Sequence, residues 1–387
     1  MASLASAPDT SQSSSASSNK INVIVVDDSA VVRGLVSRWV NEDPDMEIVG
    51  RFANGQLAVD GIAACAPDVV VLDIEMPIMD GMTALPMLLK NQPGVKILMA
   101  STLTRRNAEI SMKALSLGAT DYIPKPESNR GVTTSVEFRI DLLRKIKAIT
   151  PRKAAAAVAR PRTGAAPATP PAPGHAVALG PSPEEVSLRP FTRVKPRILA
   201  IGSSTGGPQA LAKVIEDLAP AIGDVPVVIT QHMPATFTAI LAEHLERASG
   251  RKAKEGEDGE KILPGHIYVA PGGFHMTIVD KGGEPHLRVY DGPLVNYCKP
   301  AVDPMFQSLI KVYGNSILAL VLTGMGQDGS VGAKEIADAG GNVIAQDEAT
   351  SVVWGMPGAT AAAGACAAIM PLNQIGPKAT RVLQGTQ

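Results

Sequence analysis

Two stretches of this chain alternate short apolar runs with amphipathic segments, and the stretch between them does neither. In the first, apolar runs recur at residues 22–26, 48–52, 69–74, 97–100 and 122–124, with helical spacing at 31–40, 82–90 and 105–117. Runs that are apolar at nearly every position mark strands covered on both faces, and strands alternating with helices build a parallel sheet. Residues 20–149 are therefore expected to form a doubly wound (βα)5 domain, with its ligand crevice at the carboxyl ends of the strands. The block from 194 to 387 repeats the logic, with strands at 198–201, 225–229, 317–322 and 342–345 and helices at 210–218, 237–249, 304–313 and 330–339. Between residues 261 and 289 short alternating stretches punctuated by Pro264-Gly265, Gly272-Gly273 and Lys281-Gly282-Gly283 predict an antiparallel extension. The second domain is expected to be α/β with a mixed, mainly parallel sheet. Residues 150–193 carry a succession of prolines among alanines, each removing a backbone donor, and read as an extended linker. Residues 1–19 are rich in Ser and Ala, without a basic start or a continuous apolar run, and read as a disordered tail rather than a signal peptide.

Composition narrows the class. With 387 residues and 45% hydrophobic content, each block can bury a real core. A net charge of −1 and an aromatic share of 3% argue against a nucleic-acid surface. Cys65, Cys298 and Cys366 are widely spaced, as reduced thiols of a cytoplasmic protein would be. No apolar run is long enough to span a bilayer, so no membrane insertion is expected.

The first domain concentrates acids at strand ends. Val23-Ile24-Val25-Val26 runs into Asp27-Asp28, and Val69-Val70-Val71-Leu72 runs into Asp73. Three carboxylates in one crevice repel one another, which an oxygen-seeking Mg²⁺ relieves. Two further strand ends carry Ser101 and Lys125, a hydroxyl and an ammonium suited to a phosphoryl group. Asp28 alone fits a helix N-cap equally well. The whole set, Asp27-Asp28, Asp73-Ile74-Glu75-Met76-Pro77-Ile78-Met79-Asp80-Gly81, Ser101 and Tyr122-Ile123-Pro124-Lys125-Pro126, resembles a response-regulator receiver domain. The resemblance implies that Asp73 accepts a phosphoryl group from a chemotaxis histidine kinase. It further implies that Asp27, Asp28, Asp73 and the Glu75 carbonyl hold Mg²⁺, and that Ser101, Tyr122 and Lys125 form the switch.

The second domain carries a different chemistry. Gly202-Ser203-Ser204-Thr205-Gly206 follows the strand 198–201 and matches the Gly-x-Ser-x-Gly elbow, with Ser204 at its centre. A glycine-rich phosphate-binding turn would look the same in isolation. A serine nucleophile needs a base, and His232 stands at the end of the strand Val227-Val228-Ile229-Thr230-Gln231. Asp328 follows the strand Leu320-Val321-Leu322 in a glycine-rich loop, where it also fits an N-cap. Nucleophile, base and orienting acid from three converging strand ends make a triad by role. Its order, Ser-His-Asp, differs from the α/β-hydrolase order.

The segments 202–207, Thr230-Gln231-His232-Met233-Pro234, Leu263-Pro264-Gly265 with Ala270-Pro271-Gly272, and 322–329 resemble the catalytic domain of chemotaxis protein-glutamate methylesterases. That resemblance implies hydrolysis of glutamate γ-methyl esters on methyl-accepting receptors, with release of methanol, and deamidation of receptor glutamines. No cofactor is expected in this domain. Backbone N–H groups around Thr205, Gly206 and Gly207, with His232 or Met325 across the cleft, are the oxyanion candidates. The unphosphorylated receiver is expected to cover the cleft.

Overall fold

Strand β1 (Ile21–Val26) is buried along nearly its whole length, and β3 (Val69–Asp73) along all of it. In a computed structural model these two strands lie side by side in a five-stranded parallel sheet of order β2-β1-β3-β4-β5, with β2 spanning Met46–Phe52, β4 Lys96–Thr102 and β5 Asp121–Lys125. The structure describes residues 20–126, 136–150 and 187–386; the expected tail at 1–19 and residues 151–186 of the linker expected at 150–193 lie outside them. Helices α1 (Ala30–Glu42), α2 (Gly55–Cys65), α3 (Gly81–Asn91), α4 (Arg105–Ser116) and α5 (Val136–Ile149) cover the sheet. Their starts follow from polar residues at the turns. Ser29, Asn54, Asp80 and Thr104 each accept a backbone N–H of the first turn with their side chains, satisfying a donor the helix leaves orphaned.

The second domain begins its sheet at β6 (Ile198–Ser203), buried at every residue. Its seven strands run β14-β13-β12-β6-β7-β9-β8, where β7 is Val227–Gln231, β8 Ala253–Glu255, β9 Ile267–Val269, β12 Ile317–Val321, β13 Asn342–Gln346 and β14 Ala368–Met370. Every pairing in this sheet is parallel. The antiparallel pairing expected for 261–289 comes as a hairpin, β10 (His275–Lys281) with β11 (Glu284–Tyr290), which forms a separate two-stranded sheet and is joined by an antiparallel bridge from Lys261 to His286. Alternation along the hairpin signals its own pairing; it carries no information about which sheet, if any, the hairpin joins. Helices α6 (Gly207–Leu218), α7 (Phe237–Ser249), α8 (Val302–Tyr313), α9 (Ser330–Asp338), α10 (Gly355–Ala362) and α11 (Leu372–Gln384) flank the main sheet. Upstream of β6, Arg189 donates to Gly364 O and pairs with Asp338, and Thr192 exchanges bonds with Asn342. The segment from Arg189 is thus anchored to the second domain.

The two domains meet along β5 and α4 of the first and α6 and α7 of the second. Tyr122 stacks on Phe237 with ring centroids 4.5 Å apart and planes at 7°. Gln209 donates to Ala119 O, and Arg105 pairs with Glu243 at 2.6 Å. The stacked rings are buried, whereas Arg105 and Glu243 are exposed, so apolar burial outweighs the ion pair at this contact.

Candidate functional site

At the carboxyl end of the first sheet, Asp27, Asp28 and Asp73 come close enough for one oxygen of each to lie within 4.8 Å of the others. Lys125 Nζ lies 2.7 Å from Asp73 Oδ1 and 3.2 Å from Asp27 Oδ2. Burial raises the Asp73 carboxyl to about 6, against the pull of Lys125 and with the push of Asp27. An all-oxygen, net-negative crevice of this kind suits a hard divalent cation. Ser101 is buried and accepts from the Ser111 hydroxyl at 3.0 Å. Tyr122 is buried too, beneath Phe237 of the other domain, so neither of these two residues expected to form the switch is exposed to solvent. The Glu75 side chain is exposed and lines an open cleft with Asp28, Ile74 and Met76.

The second site forms where β6, β7 and β12 end together. Gly206 takes φ +75, a left-handed turn between β6 and α6 that residues with a Cβ resist. Ser203 is fully buried with its hydroxyl on Gln231 Oε1 at 2.7 Å, while Ser204, one residue on, is partly open. Gln231 also donates to Ser204 O at 2.8 Å, and Ser204 N donates to Thr323 O. The elbow is braced by the neighbouring strand on each side.

His232 extends β7, next to Ser203 in the ladder, and its Nε2 lies 2.8 Å from Asp328 Oδ2. Asp328 is 2% exposed and is surrounded by donors. Its Oδ2 also accepts from Val302 N at 2.6 Å, and its Oδ1 accepts from Asp303 N, Gly329 N and Asn296 Nδ2 at 3.1, 3.0 and 2.9 Å. Val302 and Asp303 open α8, so the carboxylate sits at a helix N-terminus. Burial acts to raise its pKa, but His232, Val302 N and Asn296 outweigh burial and hold it at about 2. Its neighbour Asp303 goes the other way, raised to about 6 by burial, against the Gly332 N–H, and by the charge of Asp328. Burial works against protonating His232, yet the bonds to Asp328 and Cys298 prevail and raise it.

Ser204, His232 and Asp328 thus follow neighbouring strand ends on one edge of the sheet, and Met325 packs against the core cluster formed mainly by the first domain. No hydrogen bond joins Ser204 to His232 among the described residues; the Nδ1 of the ring faces Cys298 Sγ at 3.4 Å. Two of the expected oxyanion donors are committed elsewhere: His232 N donates to Ser203 O in the ladder, and Gly207 N donates to Ser204 O in the first turn of α6. The N–H groups of Thr205, Gly206 and Met325 have no acceptor among the described residues. Asn296, Cys298 and Asp303 escaped the sequence reading because they come from a loop and helix start far along the chain. His275 is buried and bonds Pro293 O and Ala301 N, bracing that loop.

Comparison with known proteins matches residues 199–379 to the CheB methylesterase family and residues 23–137 to the response regulator receiver domain. The chain is 55% identical, over 96% of both chains, to a protein-glutamate methylesterase/protein-glutamine glutaminase of group 2 operon from Rhodopseudomonas palustris. It is 53% identical to a protein of the same name from Bradyrhizobium diazoefficiens, over 99% of each chain. The crystal structure of the Thermotoga maritima CheB methylesterase catalytic domain is 39% identical, with 49% of this chain and 100% of that one covered and a TM-score of 0.47.

Proposed function

The chain belongs to the protein-glutamate methylesterase/protein-glutamine glutaminase family, and from that premise we propose how its own residues perform and regulate the reaction. It is a receiver-linked hydrolase that removes methyl esters from glutamate side chains and deamidates glutamines in chemotaxis adaptation, under control of phosphorylation. What carries the assignment of the catalytic residues is the 2.8 Å bond between His232 and Asp328 one strand away from an accessible Ser204.

In the proposed mechanism Ser204 Oγ attacks the γ-carbonyl carbon of the substrate while His232 Nδ1 takes its proton. Asp328, an acceptor only, keeps the other imidazole proton on Nε2 and stabilises the imidazolium. The oxyanion is received by the free N–H groups of Thr205, Gly206 and Met325. His232 then protonates the departing methanol or ammonia, and water releases glutamate from Ser204 by the same steps in reverse. One site serves both reactions because both present a side-chain acyl carbon with a small leaving group.

In the receiver, Asp27, Asp28, Asp73 and the Glu75 carbonyl would hold Mg²⁺, and Asp73 would take the phosphoryl group from a histidine kinase. The three clustered carboxylates support that fit. When bound, the cation neutralises charge on the transferring group. Lys125 already pairs with Asp73 and would follow the charge placed there. The receiver domain is read as 20–149, and the catalytic domain as starting at Arg189, five residues before the strand-based boundary at 194. Receptors are the proposed substrate, and among the described residues no helix is long and apolar enough to cross a membrane.

The test is methanol release from methylated receptor. Ser204→Ala and His232→Ala should each lower kcat by orders of magnitude and together little further, since they act as one unit. Ser203→Ala should be mild, and loss of activity there with Ser204→Ala spared would overturn the assignment.

A further inference from the structure

The loop between β11 and α8 turns through two successive non-glycine residues in left-handed conformation, Asn296 at φ 51 and Tyr297 at φ 64. Backbone of that kind persists only where surrounding bonds hold it. Val295 and Cys298 exchange two backbone bonds across the turn, and Asn296 Nδ2 donates to both Asp328 Oδ1 and Asp303 Oδ2 at 2.9 Å. The result is that one three-residue turn touches both members of the His–Asp pair: Asn296 reaches the acid, and Cys298 Sγ stands 3.4 Å from His232 Nδ1.

An imidazole whose Nε2 donates to a carboxylate has one lone pair left, on Nδ1. Ser204 needs that lone pair to lose its proton, and the half-buried Sγ of Cys298 lies 3.4 Å from Nδ1, while also reaching Asn296 O at 3.4 Å. We propose that Cys298 is a positioning residue for the hydrolase: its thiol holds the His232 ring in the resting enzyme, competes with Ser204 for Nδ1, and must yield before each acylation. The inference rests on the Ser204–His232–Asp328 reading above. The contact with Cys298 also raises the His232 pKa, so the imidazolium, which is no base, persists to higher pH and the onset of activity is delayed. The other charged groups around the ring are Asp328 at Nε2, Asp303 behind Asn296, Lys299 turned to Asp291, and Arg144 of the receiver over the Tyr297 ring. None of them changes in a Cys298 variant.

The experiment measures kcat/KM for methanol release against pH in the full-length, phosphorylated protein. Cys298→Ala should move the acid limb down by about half a unit or more, raising the rate on that limb about threefold, with KM unchanged. Cys298→Ser should move it in the same direction, since a hydroxyl on the shorter side chain does not bond across the 3.4 Å to Nδ1. An unmoved limb, or a uniform loss of rate at every pH, overturns the proposal. A second measurement does not depend on turnover. By ¹⁵N NMR the His232 imidazole should titrate about half a unit lower in Cys298→Ala than in wild type, because the Cys298 contact raises it. An unmoved titration overturns the pairing. The parent reading is separated by Ser204→Ala and His232→Gln: activity in either refutes the triad, whereas two inactive variants with an unmoved Cys298→Ala limb refute the cysteine role alone.

Discussion

Asp328→Asn separates an acid that orients the base from one that merely caps a helix. The carboxylate has five donors on two oxygens: Asn296 Nδ2, Asp303 N and Gly329 N on Oδ1, Val302 N and His232 Nε2 on Oδ2. An asparagine of the same shape must turn one end into a donor. Placed on the Oδ1 side it opposes three N–H groups, and on the Oδ2 side two, so the amide turns toward Val302 and His232. Val302 N–H then loses its acceptor, and a buried unpaired donor costs about 1–3 kcal/mol. The imidazole must accept at Nε2 and carry its proton on Nδ1, the tautomer that cannot deprotonate Ser204. The same tautomer error in a serine-protease triad lowers kcat about 10⁴-fold, which is about 5 kcal/mol of barrier. Methanol release from methylated receptor measures the rate, and urea unfolding measures the stability. Acid supplies a third reading. With Asp328 at about 2 in the fold against an ordinary value of 3.8, its ionisation contributes about 2 kcal/mol. That contribution is complete above pH 4 and is lost as pH falls toward 2, so the stabilities of wild type and variant converge in acid. A variant that loses stability yet keeps kcat within tenfold of wild type would refute the orienting role and leave Asp328 as a cap for α8.

In the receiver, a small phosphodonor with Mg²⁺ should add one acid-labile phosphoryl group to wild type and none to Asp73→Asn, which stays at the basal methylesterase rate; phosphate mapped by mass spectrometry to a serine would refute the site. A fragment beginning at Leu188, which keeps the Arg189 and Thr192 anchors, should exceed unphosphorylated full-length protein in methanol release and ignore phosphodonor. Opening the interface from about 1:99 to even requires about 2.7 kcal/mol of differential stabilisation, and equal basal rates for fragment and full chain would refute occlusion.

Much of both sites was legible in the chain because their residues sit at strand ends. An apolar run followed by a turn is a local pattern, and in a parallel sheet every such end lies on one edge, so Asp27, Asp73 and Lys125 in one domain and Ser204, His232 and Asp328 in the other were placed without knowing the order of the strands. The order came only with the fold: β12-β6-β7 adjacency puts the strands that lead to Asp328 and His232 on either side of the strand that leads to Ser204. The elbow pattern had already singled out Ser204, but the burial of Ser203 against Gln231 depends on the register of β6 on β7 and came with the fold. The Asn296–Cys298 turn left no mark in the sequence, because Tyr297 is not a residue that advertises a left-handed turn and its partners are 7 to 66 positions away. The Tyr122–Phe237 stack depends on how two separately patterned domains dock. Local patterning determines which residues end a strand, because hydrophobic periodicity is a property of neighbours in the chain. Which nitrogen of His232 meets the thiol and which meets the acid is set by contacts between distant segments, and these exist only after the helices and loops have packed.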